Sequence, residues 1–320
     1  MAILEGIESR ALSRGGLLDR SRTWKQIKKH WQLYLLISLP ILYIILFKYV
    51  PMYGLTIGFK DYWPAKGITG SPWAGFKHFK AFFSSPYFAQ TVRNTIVLNV
   101  LGLTLSFPVP ILFALSLNEA RSMRFRRSVQ LITYAPHFIS TVIIVQMLMA
   151  FLSPRTGLVN HMIRALGGEP VNFMAIPQLM PFLYVFSGVW QNFGFNAIIY
   201  IAALSAIDPE LYESAYIDGA NRLQKILHID IPGILPTIII LFILRTGKIM
   251  TIGFEKVFLM QNPLNLASSE IISTFVYKVG IQGIQYSFGA AVDLFNSAVN
   301  LLLILSINRI ARRVSRISLW

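Results

Sequence analysis

The sequence predicts an all-α integral membrane protein built as a six-helix transmembrane bundle. Composition and patterning lead there together. Of its 320 residues, 54% are hydrophobic and 13% charged, where a soluble domain carries about 25% charged residues. The apolar residues fall in long blocks, not in the one-sided stripes of helices that cover a soluble core. The formal net charge is +15, and the basic residues gather at the ends of the apolar blocks. They form no continuous basic face, which argues against nucleic acid as a partner. There is no cysteine, so disulfides and thiolate metal sites are excluded.

About 20 mostly apolar residues cross about 30 Å of hydrocarbon. Six segments qualify: 33–53, 95–117, 128–152, 179–204, 234–252 and 288–307. The first is too long for the core of a cleavable signal peptide and reads as a retained span. Pro108 and Pro110 fall in the second and Pro136 in the third. Prolines there free backbone carbonyls that a packed neighbour or water must satisfy, so kinked and bundled helices are implied.

Orientation follows from Lys and Arg. The N-terminal tail carries Arg10, Arg14, Arg20, Arg22, Lys25, Lys28 and Lys29. The short segment after the second span carries Arg121, Arg124, Arg126 and Arg127, and the C-terminal tail Arg309, Arg312, Arg313 and Arg316. Six spans put all three on one side, which the positive-inside rule makes the cytoplasm. The expected organisation is a basic cytoplasmic tail (1–32), a transmembrane domain (33–308) and a second basic tail (309–320). Segment 205–233 carries Arg222 and Lys225 against five acids. It is placed inside by parity, not by its own charge. Residues 23–32 mix Trp24, Ile27 and Trp31 with basic residues, as an interfacial helical turn or an anchored tail would. The outer loop 54–93 is rich in aromatics, among them Phe59, Trp63, Trp73, Phe76, Phe82 and Phe83. They are expected mostly at the membrane interface.

Residues 208–232 are too polar to span and read as two short helices. Asp208 suits an N-cap and Pro209 the first helical position. Gly219 can take the left-handed conformation that ends a helix. Leu223, Ile226, Leu227 and Ile231 then recur at helical spacing, and Pro232 is expected to close the second helix and start the next span. Within this stretch, Glu213-Ser214-Ala215, Asp218-Gly219-Ala220 and, after eight intervening residues, Ile229-Asp230-Ile231-Pro232 resemble the EAA motif of ABC importer permeases. Ser214 replaces the second Ala of that motif and Ile231 its Leu. The stretches 73–95 and 253–263 are similar to the oligosaccharide branch related to the maltose-type permeases, particularly the LplB-like proteins. The resemblance covers nearly the whole chain after Trp31. It implies the type I importer permease fold in a bacterial cytoplasmic membrane. It also implies that 208–232 docks into a cleft of an ATPase subunit, with Glu213, Ser214, Ala215, Asp218, Gly219, Ala220, Ile229 and Pro232 as the coupling residues. Two ATPase subunits, a second and distinct permease, and an extracellular or periplasmic solute-binding protein are the implied partners. This chain itself would bind no cofactor, since ATP and magnesium belong to the ATPase subunits.

Polar groups inside spans face a bundle interior or a water path. The fourth span holds Trp190, Gln191, Asn192, Phe195 and Asn196. The amides can bond sugar hydroxyls and the rings can stack on a sugar face. The same amides can instead bridge helices. Arg245 and Lys248, three residues apart, share a face of the fifth span. They read either as a positive wall for an acidic or phosphorylated sugar or as partners of Glu255, Asp293 or backbone carbonyls. Asp293, Asn296 and Asn300 make a polar seam on the sixth span, toward the pathway or toward a partner permease. The sequence contains no Walker-type G-x-x-x-x-G-K-[ST], no H-E-x-x-H and no G-x-S-x-G. An enzyme reading thus has little support, and neither catalytic nor metal-binding residues are expected. The functional expectation is the sugar-translocating permease subunit of an ATP-driven importer working by alternating access. A stand-alone transporter driven by an ion gradient, and an integral-membrane enzyme or scaffold, are the rival readings.

Overall fold

The structure is a computed structural model that describes residues 28–247, 250 and 253–315. Residues 23–27 of the interfacial stretch, most of the N-terminal basic residues, Arg316 and Lys248 lie outside the described residues. All regular structure among the described residues is helical, apart from an antiparallel bridge between Lys60 and Trp73. The chain divides into two units, Met1–Thr56 and Ile57–Trp320.

In the first unit, α1 (Trp31–Ile44) runs on through a π turn at Ile45–Tyr49. With the 3-10 stretch Tyr53–Phe59 it makes an apolar helix of 29 residues, Trp31–Phe59. Leucine, isoleucine and tyrosine occupy every side of it, as suits a helix whose solvent is lipid.

The second unit opens with α2 (Lys77–Phe83), then α3 (Tyr87–Ser106) and α4 (Pro108–Asn118). The last two form one apolar helix of 32 residues, longer than the segment expected from the sequence. Pro108 and Pro110 sit in the first turn of α4, where a missing N–H costs least. Next come α5 (Met123–Tyr134), α6 (Thr141–Leu152), α7 (Leu158–Ala165) and α8 (Met180–Ser205). Then follow α9 (Pro209–Ile217), α10 (Arg222–Lys225), α11 (Ile231–Thr246) and α12 (Phe254–Met260). The short α13 (Leu266–Ser269) and α14 (Ile272–Val276) precede α15 (Tyr286–Ser315).

Among the described residues, four helices are long and apolar enough to cross a membrane: Trp31–Phe59, Tyr87–Asn118, Arg222–Thr246 and Tyr286–Arg313. The third expected span is not a straight helix. Its two halves, Met123–Phe138 and Thr141–Leu152, meet at 98° and make a fifth span if taken together. The reason is local: Pro136 tightens the chain into a 3-10 turn at Ala135–Phe138, and Ser140 restarts it as an N-cap accepting from Ile143 N–H. The fourth expected span, α8, has 26 residues and is long enough. Its amides Gln191, Asn192 and Asn196 make it less apolar than the four.

Three buried clusters among the described residues hold the second unit. Leu98, Val145, Met180, Val257, Met260 and Ile271 form one. A second surrounds Phe82, and a third joins Ala114, Leu115, Ala197, Tyr200, Leu204 and Ile234. Phe82 corrects the expectation for the aromatic loop. It is 1% exposed and lies within 6.4 Å of Phe88, Phe275, Phe288 and Phe295, ring centre to ring centre. Phe59 likewise stacks on Trp73 at 5.8 Å. These rings attach the outer loop to the bundle, whereas Trp63, Trp73, Phe76 and Phe83 keep large exposed faces.

Helix α8 approaches α5 at Gly194. A Cβ there would collide with the Thr133 carbonyl, a backbone group that cannot swing aside. Gly194→Val is expected to cost about 1–3 kcal/mol through overpacking and to lower the thermal midpoint of the detergent-solubilised chain. Gly102→Ala adds a methyl with no neighbour within 4 Å and is expected to leave the midpoint unchanged or raised.

Candidate translocation cavity and coupling elbow

A cavity of about 530 Å³ opens between α3, α8 and the chain that follows α11. Asn99 and Ser106 of α3, Gln191, Asn192 and Asn196 of α8, and Arg245, Thr141 and Lys256 supply its polar lining. The broken span shapes one wall. Pro136 and the bend leave backbone carbonyls without helical partners, and α8 supplies replacements. Gln191 Nε2 donates to the Ile139 carbonyl at 2.9 Å, and Gln191 is 8% exposed. Asn192 Nδ2 donates to the Gly188 carbonyl at 3.0 Å, which turns its Oδ1 toward His137 Nδ1 at 2.9 Å. An amide oxygen only accepts, so Nδ1 carries the imidazole proton in this arrangement. Phe195 stacks flat on His137, with ring centres 3.8 Å apart. The two roles expected for these amides therefore coincide: Gln191 and Asn192 bridge helices and line the cavity.

Two cations reach the cavity. Arg245 lies in the last turn of α11, since the helix ends at Thr246 and not at 252 as expected. Among the described residues it forms no ion pair, so the expected alternative partners Glu255 and Asp293 do not take it. Lys256 is 8% exposed. Its Nζ donates to the Tyr184 carbonyl at 3.1 Å and lies 5.1 Å from the centre of the Tyr184 ring.

Of the pathway residues expected from sequence, Gln191, Asn192, Asn196 and Arg245 come together here. Trp190 does not line the cavity and is 48% exposed, and Phe195 is occupied by His137. The polar seam on α15 divides: Asn300 Oδ1 accepts from the Met250 N–H at 2.9 Å, while Asp293 is exposed. Sequence reasoning missed Lys256, Asn99 and His137. Lys256 stands beside Glu255 in sequence and resembles half of a surface charge pair. Only the fold turns it inward between Val257 and Met260, which are fully buried.

At the far end of α11 the polar stretch 208–232 forms a bent elbow. Asp208 caps α9, accepting from Glu210 N–H at 3.0 Å. Gly219 has φ +71°, and a Schellman closure follows: Ala220 N–H donates to the Ala215 carbonyl and Gly219 N–H to that of Tyr216. Asn221 and Gln224 form a capping box that starts α10. Pro232 does not close this second arm, contrary to expectation. A π turn, Ile226–Asp230, carries α10 into α11 without interruption, so Arg222–Thr246 is one helix of 25 residues. Pro232 falls in the first turn of α11, where the chain tolerates it.

Asp230, fully buried, ties the elbow to the end of α4. Its Oδ1 accepts from the Tyr212 hydroxyl at 2.5 Å and, more weakly, from Asn118 Nδ2 at 3.5 Å. Burial and the adjacent Asp230 carboxylate raise the Tyr212 phenol well above its usual pKa, which keeps the donor proton in place. Arg126 donates to Asn118 Oδ1 at 3.1 Å, and Glu119 faces Lys225 at 3.5 Å and Arg222 at 3.9 Å. The elbow and the basic segment 121–127 therefore share one end of the bundle. Glu213, Ser214, Asp218 and Gly219 are exposed on the elbow, as are Tyr216 and Ile217, at 83% and 84%.

Comparison with known proteins places this architecture. The chain is 43% identical over 294 residues to the polygalacturonan/rhamnogalacturonan transport system permease protein YteP of Bacillus subtilis (strain 168), with 92% of each chain covered. It is 41% identical over 294 residues to protein LplB of the same organism, again with 92% of each covered. A crystal structure of a bacterial ABC transporter involved in the import of the acidic polysaccharide alginate superimposes with a TM-score of 0.85. That match has 41% identity and covers 92% of this chain and 99% of the other. A structure of a bacterial alginate ABC transporter in complex with an alginate pentasaccharide-bound periplasmic protein matches with a TM-score of 0.86 and 40% identity, covering 93% and 100%. Residues 106–316 match the family described as the binding-protein-dependent transport system inner membrane component. The chain belongs to that family: it is a multi-pass sugar permease of a bacterial ABC importer.

Proposed function

We propose that this chain lines the translocation path of an ATP-driven importer of oligosaccharides and takes its driving force through the 208–232 elbow. The observation that carries the reading is the unbroken helix Arg222–Thr246, with the elbow at one end and Arg245 in the cavity at the other. An ATPase subunit seated on Glu213, Tyr216 and Ile217 pushes on α9, and the Asp230 junction passes the push to α11. The cavity then opens alternately to either side. In this reading the bent pair and α8 complete the six spans. Both termini, the basic segments and the elbow are cytoplasmic, as the positive charge favours. A second permease completes the pathway, two ATPase subunits bind ATP and magnesium, and a solute-binding protein delivers the sugar from outside. Saccharide cargo accords with YteP and the alginate transporters, whose names specify polysaccharide transport or import, and with the amides of the cavity. The same relatives favour this reading over an ion-gradient transporter.

The elbow makes two tests available. Gly219→Val puts a β-branched residue at φ +71°, which costs roughly 1–2 kcal/mol or more, and Glu213→Lys reverses an exposed charge. Each is expected to strip the ATPase subunit from the permease during co-purification. Retention of the full complement would contradict docking at this site. Tyr212→Phe removes the hydroxyl that serves buried Asp230. It is expected to leave ATP hydrolysis running while sugar imported per ATP falls severalfold in proteoliposomes, and an unchanged ratio would remove the junction from the force path.

A further inference from the structure

We infer that the outward face of α5 holds an anionic phospholipid of the leaflet beside the elbow, with Arg124 and Arg127 on its phosphate and Leu131 against its acyl chains. The inference takes from the reading above only the placing of this end of the bundle at the cytoplasmic surface.

Helix α5 has two unlike faces. Arg126, Val129, Gln130 and Thr133 are half-buried, and the tight approach of Gly194 to the Thr133 carbonyl puts this face on α8. Residues three and four apart share a helix face. On the other face Arg124, Arg127, Ser128 and Leu131 are all exposed, Leu131 at 74%, with Ile132 beside it at 71%. The two guanidinium groups come first along the axis and the apolar side chains follow, about 6 Å separating Arg127 from Leu131 at the rise of an α-helix. A solvated charged face would stay polar through the next turn. Phosphate followed by hydrocarbon is the order a leaflet presents, and long arginine side chains reach back to the headgroup level while their stems lie on apolar surface.

Charge accounting selects an anionic headgroup. Glu119, the acid nearest in sequence, already faces Lys225 and Arg222, and buried Asp230 accepts from Tyr212. Arg126 turns inward to the Asn118 carbonyl at 3.3 Å and to its Oδ1 at 3.1 Å. Arg124 and Arg127 are in none of the ion pairs among the described residues. Ser122 caps the helix, accepting from Phe125 N–H, and Arg126 ties the same turn to the end of α4. The two free forks are thus presented on an ordered turn, with the planar geometry that matches phosphate oxygens. Cations at this level attract anionic lipid. An acidic surface of the ATPase subunit is the rival occupant. It would meet the arginines but leave Leu131 and Ile132 uncovered, because a soluble subunit stops at the headgroups.

The chain has no cysteine, so a bimane on Leu131→Cys reports one position in an importer assembled with cysteine-free partner subunits. Nanodiscs of phosphatidylcholine with a minor fraction of phosphatidylglycerol carry bromine on the acyl chains of one lipid or the other. The expected result is that brominated phosphatidylglycerol quenches at least tenfold more per molecule than brominated phosphatidylcholine. A label at Val97→Cys, on the exposed side of α3 in its outer half, is expected to show no preference. Arg124→Gln and Arg127→Gln each lower the preference about fivefold, and the double Lys variant keeps most of it. Equal quenching by the two lipids at Leu131, or no quenching there at all, would overturn the inference. So would a preference that survives the double Gln variant, or one that millimolar inorganic phosphate abolishes, which would mark a site for a free anion. The Gln variants are expected to keep the ATPase subunit on co-purification, and its loss would make the arginines a protein-docking face instead. ATP-driven import, measured separately in proteoliposomes, tests the permease reading. A preparation that selects phosphatidylglycerol at Leu131 but imports nothing upholds the lipid face and contradicts the function.

Discussion

The structure depends on keeping backbone and polar groups satisfied where apolar surroundings offer no water. An interrupted helix is tolerated in such a setting only when protein replaces the lost bonds. The 98° break at Pro136 is the largest interruption, and the side chains that serve it come from α8. Gln191 takes the Ile139 carbonyl and Asn192 holds His137, on which Phe195 stacks. These side chains keep the broken span folded and place amides on the cavity wall. The polarity that makes α8 a weak span by composition is therefore what allows its neighbour to bend.

The same economy appears at the elbow. Gly219 turns the chain, and Asp208 and Asn221 cap the two arms. The buried Asp230 carboxylate gathers Tyr212 and Asn118 from two different segments. Its second oxygen is buried without a partner among the described residues, so the Tyr212 hydroxyl is the carboxylate's short contact and Asn118 its weaker one. Removing one donor from such a group costs more than the net worth of the hydrogen bond, because the desolvated oxygen stays behind. One buried carboxylate thus joins α9, the end of α4 and the start of α11.

Much of this was legible in the sequence, though unevenly. Long apolar blocks marked the spans because hydropathy averages over about 20 residues and ignores direction within the window. For the same reason it could not show that the third block turns at Pro136. The elbow was readable residue by residue, since caps and a helix-ending glycine act locally: Asp208, Pro209 and Gly219 hold their expected places. Pro232 was misread as a stop because a proline in a first turn and a proline after a last turn look alike in sequence. The π turn that merges the two helices has no sequence signature of its own. Gln191, Asn192, Asn196 and Arg245 stood out as polar residues in apolar blocks. Lys256 did not, because its burial depends on Tyr184 from another helix.

The central claim is that the elbow and the cavity move as the two ends of one rigid helix. Spin labels at Leu223 and Leu244, both exposed on Arg222–Thr246, lie about 30 Å apart at the rise of an α-helix. Pulsed electron paramagnetic resonance on the assembled importer, nucleotide-free and trapped with ATP, reports that separation together with the distance from Leu223 to a label at exposed Ile132 on α5. The account predicts an unchanged Leu223–Leu244 distance and a shifted Leu223–Ile132 distance. A Leu223–Leu244 distance that changes between the two states would show the helix bending, and force would then have to reach the cavity by another route.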